Sequence, residues 1–178
     1  MAIRVLAVDD APFRKGVDKW TFIVCLLFRD LILEKAIKTK IEVDGSDAEE
    51  RIVEVVDSLK GEVNILMLHG TTMGGFNMID LSSLHKKIGI PIVSFLDRAP
   101  RDELVVHALR SAGKENKIED FLRQPKYTPF RTRYGVIYCL FEGIDEREVE
   151  NIVERYCIES KFPEQLRIAN IVASIARC

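Results

Sequence analysis

The chain opens on two runs with almost no polar residues, IRVLAV at residues 3–8 and WTFIVCLLF at residues 20–28. Runs of this length, rich in β-branched and aromatic side chains, predict strands buried on both faces in the middle of a sheet. Residues 33–43 alternate instead, with Leu33, Ile37, Ile41 and Val43 on one face and Glu34, Lys38, Lys40 and Glu42 on the other. A period of two predicts a half-exposed strand near a sheet edge. The short Arg29-Asp30 link between the second and third runs leaves room only for an antiparallel hairpin, because a parallel crossover needs a dozen residues or more.

Beyond Val43 the period lengthens to that of a helix. Ile52, Val55, Val56 and Leu59 form one apolar stripe, Glu49, Glu50, Glu54 and Lys60 lie largely outside it, and Gly61 ends the element. Residues 63–68 predict a strand, HGTTMGGFN at 69–77 a glycine-rich loop, and Leu81, Leu84 and Ile88 a second helical stripe. A strand over 90–96 and a helix over 103–109 follow, then a stretch with little periodicity from 111 to 133, expected to be partly loop. A strand over 135–141 and helices over 146–156 and 164–176 close the chain.

Three strands in hairpin linkage, then helix, strand, helix, strand and helix, predict a ribonuclease H-like α/β fold. Its mixed sheet has three antiparallel strands followed by two parallel strands reached through right-handed crossovers, flanked by helices. A flavodoxin-like or Rossmann sheet needs a helix after its first strand, and residues 20–28 are too rich in β-formers to supply one. One domain over residues 1–178 is expected, with no internal repeat or low-complexity linker.

Composition narrows the function by exclusion. The 26 Lys and Arg nearly balance the 28 Asp and Glu, so no global field attracts nucleic acid or an anionic membrane, and any such partner needs a local patch. Cys25, Cys139, Cys157 and Cys178 form no CxxC pair and no Cys/His metal spacing, which argues against a zinc ribbon or a secreted disulfide framework. With no signal-peptide core at the start and no apolar run of roughly 18 to 20 residues, a cytoplasmic protein without a membrane partner is expected.

Candidate chemistry gathers where strands end, as ligand sites do in open α/β sheets. Asp9 and Asp10 follow the first buried run directly, as oxygen ligands for a divalent cation such as Mg2+ or as openers of the turn into Ala11 and Pro12. Asp44, Asp47, Glu49 and Glu50 crowd a strand-to-helix junction, where one can face Asp9 as a second metal carboxylate. Equally, Ser46 or Asp47 can cap the helix with Glu49 or Glu50 completing a capping box. The loop after His69 enters a helix, so its backbone N–H groups suit phosphate, with Gly74, Gly75 and Asn77 as candidate substrate-binding residues. It is neither a Walker loop nor a GxGxxG fingerprint. His69 itself fits a catalytic position or a hydrogen-bonded strand end, while His85 and His107 read as solvated. Between Arg110 and Tyr134, basic residues interleave with Phe121, Tyr127 and Phe130, a surface for phosphates and bases or a loop anchored by its aromatics.

The segments VDDAPF at 8–13, VDGSDAEE at 43–50, GGFNMIDL at 74–81, PIVSFLDRAP at 91–100 and FPEQLRIANIVAS at 162–174 resemble the archaeal family called domain of unknown function ninety-nine. The resemblance spans nearly the whole chain. That family is similar in fold to endonuclease V, a ribonuclease H-like enzyme. The similarity implies Mg2+-dependent phosphodiester hydrolysis near a hypoxanthine, with Asp9 as the first-strand metal ligand and Asp47 as the second carboxylate by order, Asp44 or Glu49 being alternatives. Three positions depart from that pattern: His69 stands where the enzyme has an aspartate, Asp97 where it has a lysine, and Asn170 near where its last helix has a histidine.

Imidazole suits Mn2+ and other transition ions better than Mg2+, so the departures weaken the case for Mg2+-dependent cleavage. The functional classes that follow are a metal-dependent nuclease with an altered site, a catalytically silent protein that binds DNA or RNA, and a small nucleotide or metabolite binder. FPEQLR is expected to open a helix beside the crevice, with Pro163 and Glu164 in its first turn and Arg167 reaching a phosphate or pairing with an acid.

Overall fold

The computed structural model describes residues 2–176. Three strands, β1 (Arg4–Asp10), β2 (Trp20–Arg29) and β3 (Ile32–Glu42), precede helix α1 (Ala48–Ser58). Strand β4 (Ile65–His69), a small ribbon of β5 (Thr72–Met73) and β6 (Asn77–Met78), helix α2 (Leu81–Ile88) and strand β7 (Ile92–Leu96) follow. The chain continues through α3 (Asp102–Ser111), α4 (Ile118–Arg123), β8 (Thr128–Thr132), β9 (Gly135–Glu142), α5 (Glu146–Tyr156) and α6 (Glu164–Ile175).

The main sheet has the order β3-β2-β1-β4-β7-β9-β8. β1, β4 and β7 are parallel neighbours, while β2, β3, β9 and β8 pair antiparallel. The ribonuclease H-like sheet expected from the pattern is therefore present, extended at its far edge by the β8–β9 hairpin. β8 is the main-sheet strand the periodicity missed, and the β5–β6 ribbon lies in the segment expected to be loop. Of TPFRT only Phe130 is buried, and Pro129 is tolerated because β8 is an edge strand. The alternation read in residues 33–43 also needs correction. A register shift near Leu27 and Phe28 puts Leu33 opposite Phe28, while Ile37 lies opposite Cys25 on the other face.

The sheet is covered on both sides. Val5, Ala7, Val24, Leu26 and Phe28 pack under α5 and α6, whereas Leu6, Val8, Ile23, Cys25 and Leu27 pack under α1 and α2. Because successive side chains of a strand point to opposite faces, Asp9 falls on the α6 side and Asp10 on the α1 side. That parity decides the layout of the site. Cys25, Cys139 and Cys157 are buried free thiols. Among the described residues no helix is long and apolar enough to cross a membrane.

Candidate functional site

β1 and β4 run parallel with Val8 level with Leu68, so their carboxyl ends bring Asp9 and His69 side by side. Asp9 is only 3% exposed. Its Oδ2 accepts from His69 Nδ1 at 3.0 Å and from Asn170 Nδ2 at 2.8 Å, and its Oδ1 accepts the Asp10 backbone N–H at 2.9 Å. With a carboxylate on Nδ1, that nitrogen carries the proton, which leaves Nε2 as the second working atom of the ring. Phe162 meets the imidazole edge-on with centroids 4.9 Å apart. The hydrogen bond to Asp9 pushes the His69 pKa above its ordinary value, outweighing the opposing effect of burial.

The other carboxylates form a separate group on the opposite face. Asp10 Oδ2 accepts from Gly74 N at 2.8 Å, and burial, assisted by the nearby charge of Asp9, raises its pKa. Asp44 Oδ1 accepts from Phe76 N at 2.8 Å. Gly75, at φ +89°, passes so close that a Cβ there would lie 2.3 Å from that oxygen. Asp47 accepts from Asn77 Nδ2 at 2.7 Å and from Glu42 N at 3.1 Å, while Glu49 accepts from Ser83 Oγ and Lys87 Nζ, each at 2.6 Å. Asp9 thus has hydrogen-bond partners in β4 and α6, and the 44–49 carboxylates have theirs in the neighbouring loops and α2. Both groups stand at the same end of the sheet, because β1 and β3 each run antiparallel to β2, and Gly74 links them by donating to Asp10 Oδ2 and accepting from Asp44 N.

The glycine-rich loop is likewise committed internally. Gly74 N and Phe76 N already donate to carboxylates, so they do not form an open cradle for phosphate. Asn77 is fully buried and supplies a cap to α1, accepting Ala48 N at 3.0 Å while donating to Glu42 O at 2.9 Å. It replaces the Ser46 or Asp47 cap expected from sequence, since the backbone of Asp47 is already helical and makes no side-chain cap bond. Gly74 and Asn77 therefore shape the loop through these internal bonds. Gly75 keeps a place on the cavity wall described below.

The donor set around Asp9 does not match Mg2+, which demands near-octahedral oxygen coordination. One Asp9 oxygen is shared by two nitrogens and the other is held by backbone. Among the described residues no group of three or more His, Cys, Asp or Glu is placed to hold a metal ion.

His69 also lines a cavity of about 300 Å³ beneath α3 and α4. Leu96, Val105, Leu109 and Phe121 make apolar walls, and Gln124 and Tyr127 bring polar groups into it. Tyr127 hydroxyl lies 3.0 Å from Ser94 Oγ, and burial raises its pKa. Thr71 Oγ1 donates to Gln124 Oε1 at 3.1 Å. Phe121 and Tyr127 stand in the aromatic stretch noted in the sequence, whereas Leu96, Val105, Leu109 and Gln124 were not singled out, because they come from separate segments with no shared motif.

The 110–134 stretch serves mainly as wall and anchor. Phe121 and Tyr127 line the cavity, Phe130 is in the core, and Lys117 is buried with its ammonium on the carbonyls of Asp44, Gly45 and Phe76. Arg123 and Lys126 are paired with acids. Arg167 pairs with Glu164 at 2.5 Å, one helical turn before Asn170. Asp97 lies 2.6 Å from Lys161, so a lysine reaches that strand end from the segment preceding α6. His85, expected to be solvated, is partly buried with Nδ1 2.8 Å from Ile90 O.

The family model described as Endonuclease dU matches residues 1–177. A UPF0215 protein of Thermoplasma volcanium is 33% identical over 175 residues, covering 97% of this chain and 89% of the relative. A crystal structure of a protein of unknown function from Archaeoglobus fulgidus superposes with a TM-score of 0.82 at 26% identity, covering 96% of each chain. Endonuclease V of Ciona intestinalis, in complex with DNA containing an inosine, gives a TM-score of 0.61 at 14% identity over 97% of this chain and 84% of that one. At that identity the similarity establishes the shared fold.

Proposed function

The chain belongs to the endonuclease dU family, and from that premise we propose that it is an endonuclease cleaving a phosphodiester of nucleic acid at or beside a deoxyuridine. The observation that carries this reading is the buried Asp9 carboxylate holding His69 at the edge of a cavity sized for a base. A cavity of about 300 Å³ is at the lower end of small-molecule pockets, which suits one unstacked base rather than a longer segment.

With the base in the cavity, its phosphodiester lies on the His69 side. Asp9 fixes the ring through Nδ1 and stabilises its protonated form, leaving Nε2–H directed at the phosphate. As water oxygen bonds to phosphorus and releases its proton to solvent, the phosphorus–oxygen ester bond breaks and the departing oxygen takes the Nε2 proton. Asn170 keeps Asp9 in place by donating to the same oxygen. Arg167, one turn before Asn170 and paired with Glu164 in a part-buried contact, exchanges that acid for a phosphate in this reading.

A cleavage assay on labelled strands containing deoxyuridine, deoxyinosine or thymidine tests the reading. The unmodified chain should cut the deoxyuridine strand, and Asp9→Asn and His69→Gln should each lower the rate by roughly a hundredfold or more while leaving the circular dichroism spectrum intact. Failure to cut any strand in Mg2+, Mn2+ or chelator would sink the enzyme reading and leave a protein that binds nucleic acid without cleaving it.

A further inference from the structure

Gln124 carries an amide whose direction is determined by its surroundings. Nε2 lies 3.4 Å from Ile79 O, a carbonyl that only accepts, so the NH2 end must face it. Thr71, itself 8% exposed, then donates its hydroxyl to Oε1 at 3.1 Å. Each end of the amide keeps spare capacity, one N–H on nitrogen and one lone pair on oxygen. Gln124 lines the same cavity as His69. A donor and an acceptor in fixed order therefore face the space beside the proposed reaction centre.

We infer that Gln124, oriented by the Ile79 carbonyl, reads the ring N–H and adjacent C=O of a deaminated base in this cavity. The inference rests on the endonuclease reading for the presence of a base there, and adds how that base is told from its parent. Uracil offers N3–H beside C4=O, which pair with Oε1 and Nε2–H respectively. Cytosine offers the reverse, an N3 lone pair beside an amino group, so the locked amide meets acceptor with acceptor and donor with donor. Hypoxanthine differs from adenine in the same way. A freely rotating glutamine would turn over and accept either edge, and the Ile79 carbonyl, which can only accept, is what prevents it. Gln124 is thus the specificity-determining residue, its amide directed by the Ile79 carbonyl and its oxygen supported by Thr71.

The test is equilibrium binding by fluorescence anisotropy, at fixed salt, of single strands carrying one deoxyuridine, deoxycytidine or abasic site. The unmodified chain should favour deoxyuridine over deoxycytidine by about tenfold or more, the scale of a good two-bond base contact. Thr71→Val removes one partner of Oε1 but leaves the Ile79 carbonyl in place, so it should keep the preference for deoxyuridine. Gln124→Leu should reduce deoxyuridine binding to the abasic level. A ratio unchanged in Gln124→Leu, or a ratio lost in Thr71→Val, overturns the inference. Cleavage measured alongside separates the two readings: discrimination that depends on residue 124 without any cleavage refutes the endonuclease alone, and cleavage with discrimination indifferent to residue 124 refutes the base reader alone.

Discussion

His69 Nδ1 and Asn170 Nδ2 converge on one oxygen of Asp9, at 3.0 and 2.8 Å, joining the end of β4 to the middle of α6 through a carboxylate in β1. This contact has a pH signature. The bond to Asp9 raises the folded-state pKa of His69 above 6.5, so its stabilisation is fully present below that value and is lost as pH rises through the folded pKa. The melting midpoint should therefore fall on the alkaline side of 6.5. Calorimetric melts across that window should show the decline in the unmodified chain and a flatter profile in His69→Gln.

Asp10 behaves in the opposite chemical sense, because burial raises a carboxyl that is charged at neutral pH. A raised carboxyl pKa contributes stability below the unfolded value of 3.8 and loses it as pH rises through the folded one. Asp10→Asn removes the cost of the buried charge while its amide oxygen can still accept from Gly74 N. The variant should melt higher than the parent near neutral pH, with the gain disappearing in acid. An equal or lower midpoint at neutral pH would show that the charge itself holds the 70–77 loop.

Asn77 joins three segments by accepting from Ala48 N and donating to Glu42 O and Asp47 Oδ1. Asn77→Ala removes a helix cap and leaves buried backbone groups unpaired, which should cost about 2 kcal/mol or more in urea unfolding. Hydrogen exchange should speed up first at the start of α1.

The central sheet was legible because β1 and β2 are buried on both faces and leave long apolar runs, and α5 was legible because its stripe is regular. β8 was not, since a five-residue edge strand with one buried side chain carries almost no period. At the site, Asp9 and His69 could be found as polar residues closing apolar strands. Their union with Asn170 could not, as it joins positions 161 residues apart. The sequence order of the acidic residues also suggested one shared cluster, whereas the alternation of β1 sends neighbouring Asp9 and Asp10 to opposite faces, a consequence that only the pairing of each strand makes visible.

Lys117 ties the short turn at Glu115–Lys117 to the carbonyls of Asp44, Gly45 and Phe76, and burial lowers its pKa. Lys117→Met keeps much of the apolar stem and removes the ammonium, so the carbonyls lose their shared donor. A loss of roughly 1 to 3 kcal/mol is expected. Exchange should quicken over residues 115–127, the segment carrying Phe121 and Gln124 of the cavity wall, and deoxyuridine binding should weaken with it. Unaltered exchange there would mean that α3 and α4 are held by their apolar contacts alone.

The last prediction concerns metal. A neutral imidazole at residue 69 brings one nitrogen lone pair and no negative charge, and here its Nδ1 is spent on Asp9. Mg2+ added to the unmodified chain should bind weakly by calorimetry, and Mn2+, which tolerates nitrogen ligands better, should bind more tightly of the two. His69→Asp places a second carboxylate beside Asp9 and removes the donor that occupies Oδ2. Repulsion between the two acids then favours a cation between them, so Mg2+ affinity should rise by about tenfold or more, a free-energy change of about 1.4 kcal/mol. Because the same substitution removes the proton donor proposed for cleavage, metal affinity and activity should move in opposite directions. Tight Mg2+ binding by the unmodified chain, with cleavage that His69→Asp preserves, would instead make the carboxylates the reaction centre and His69 an accessory to them.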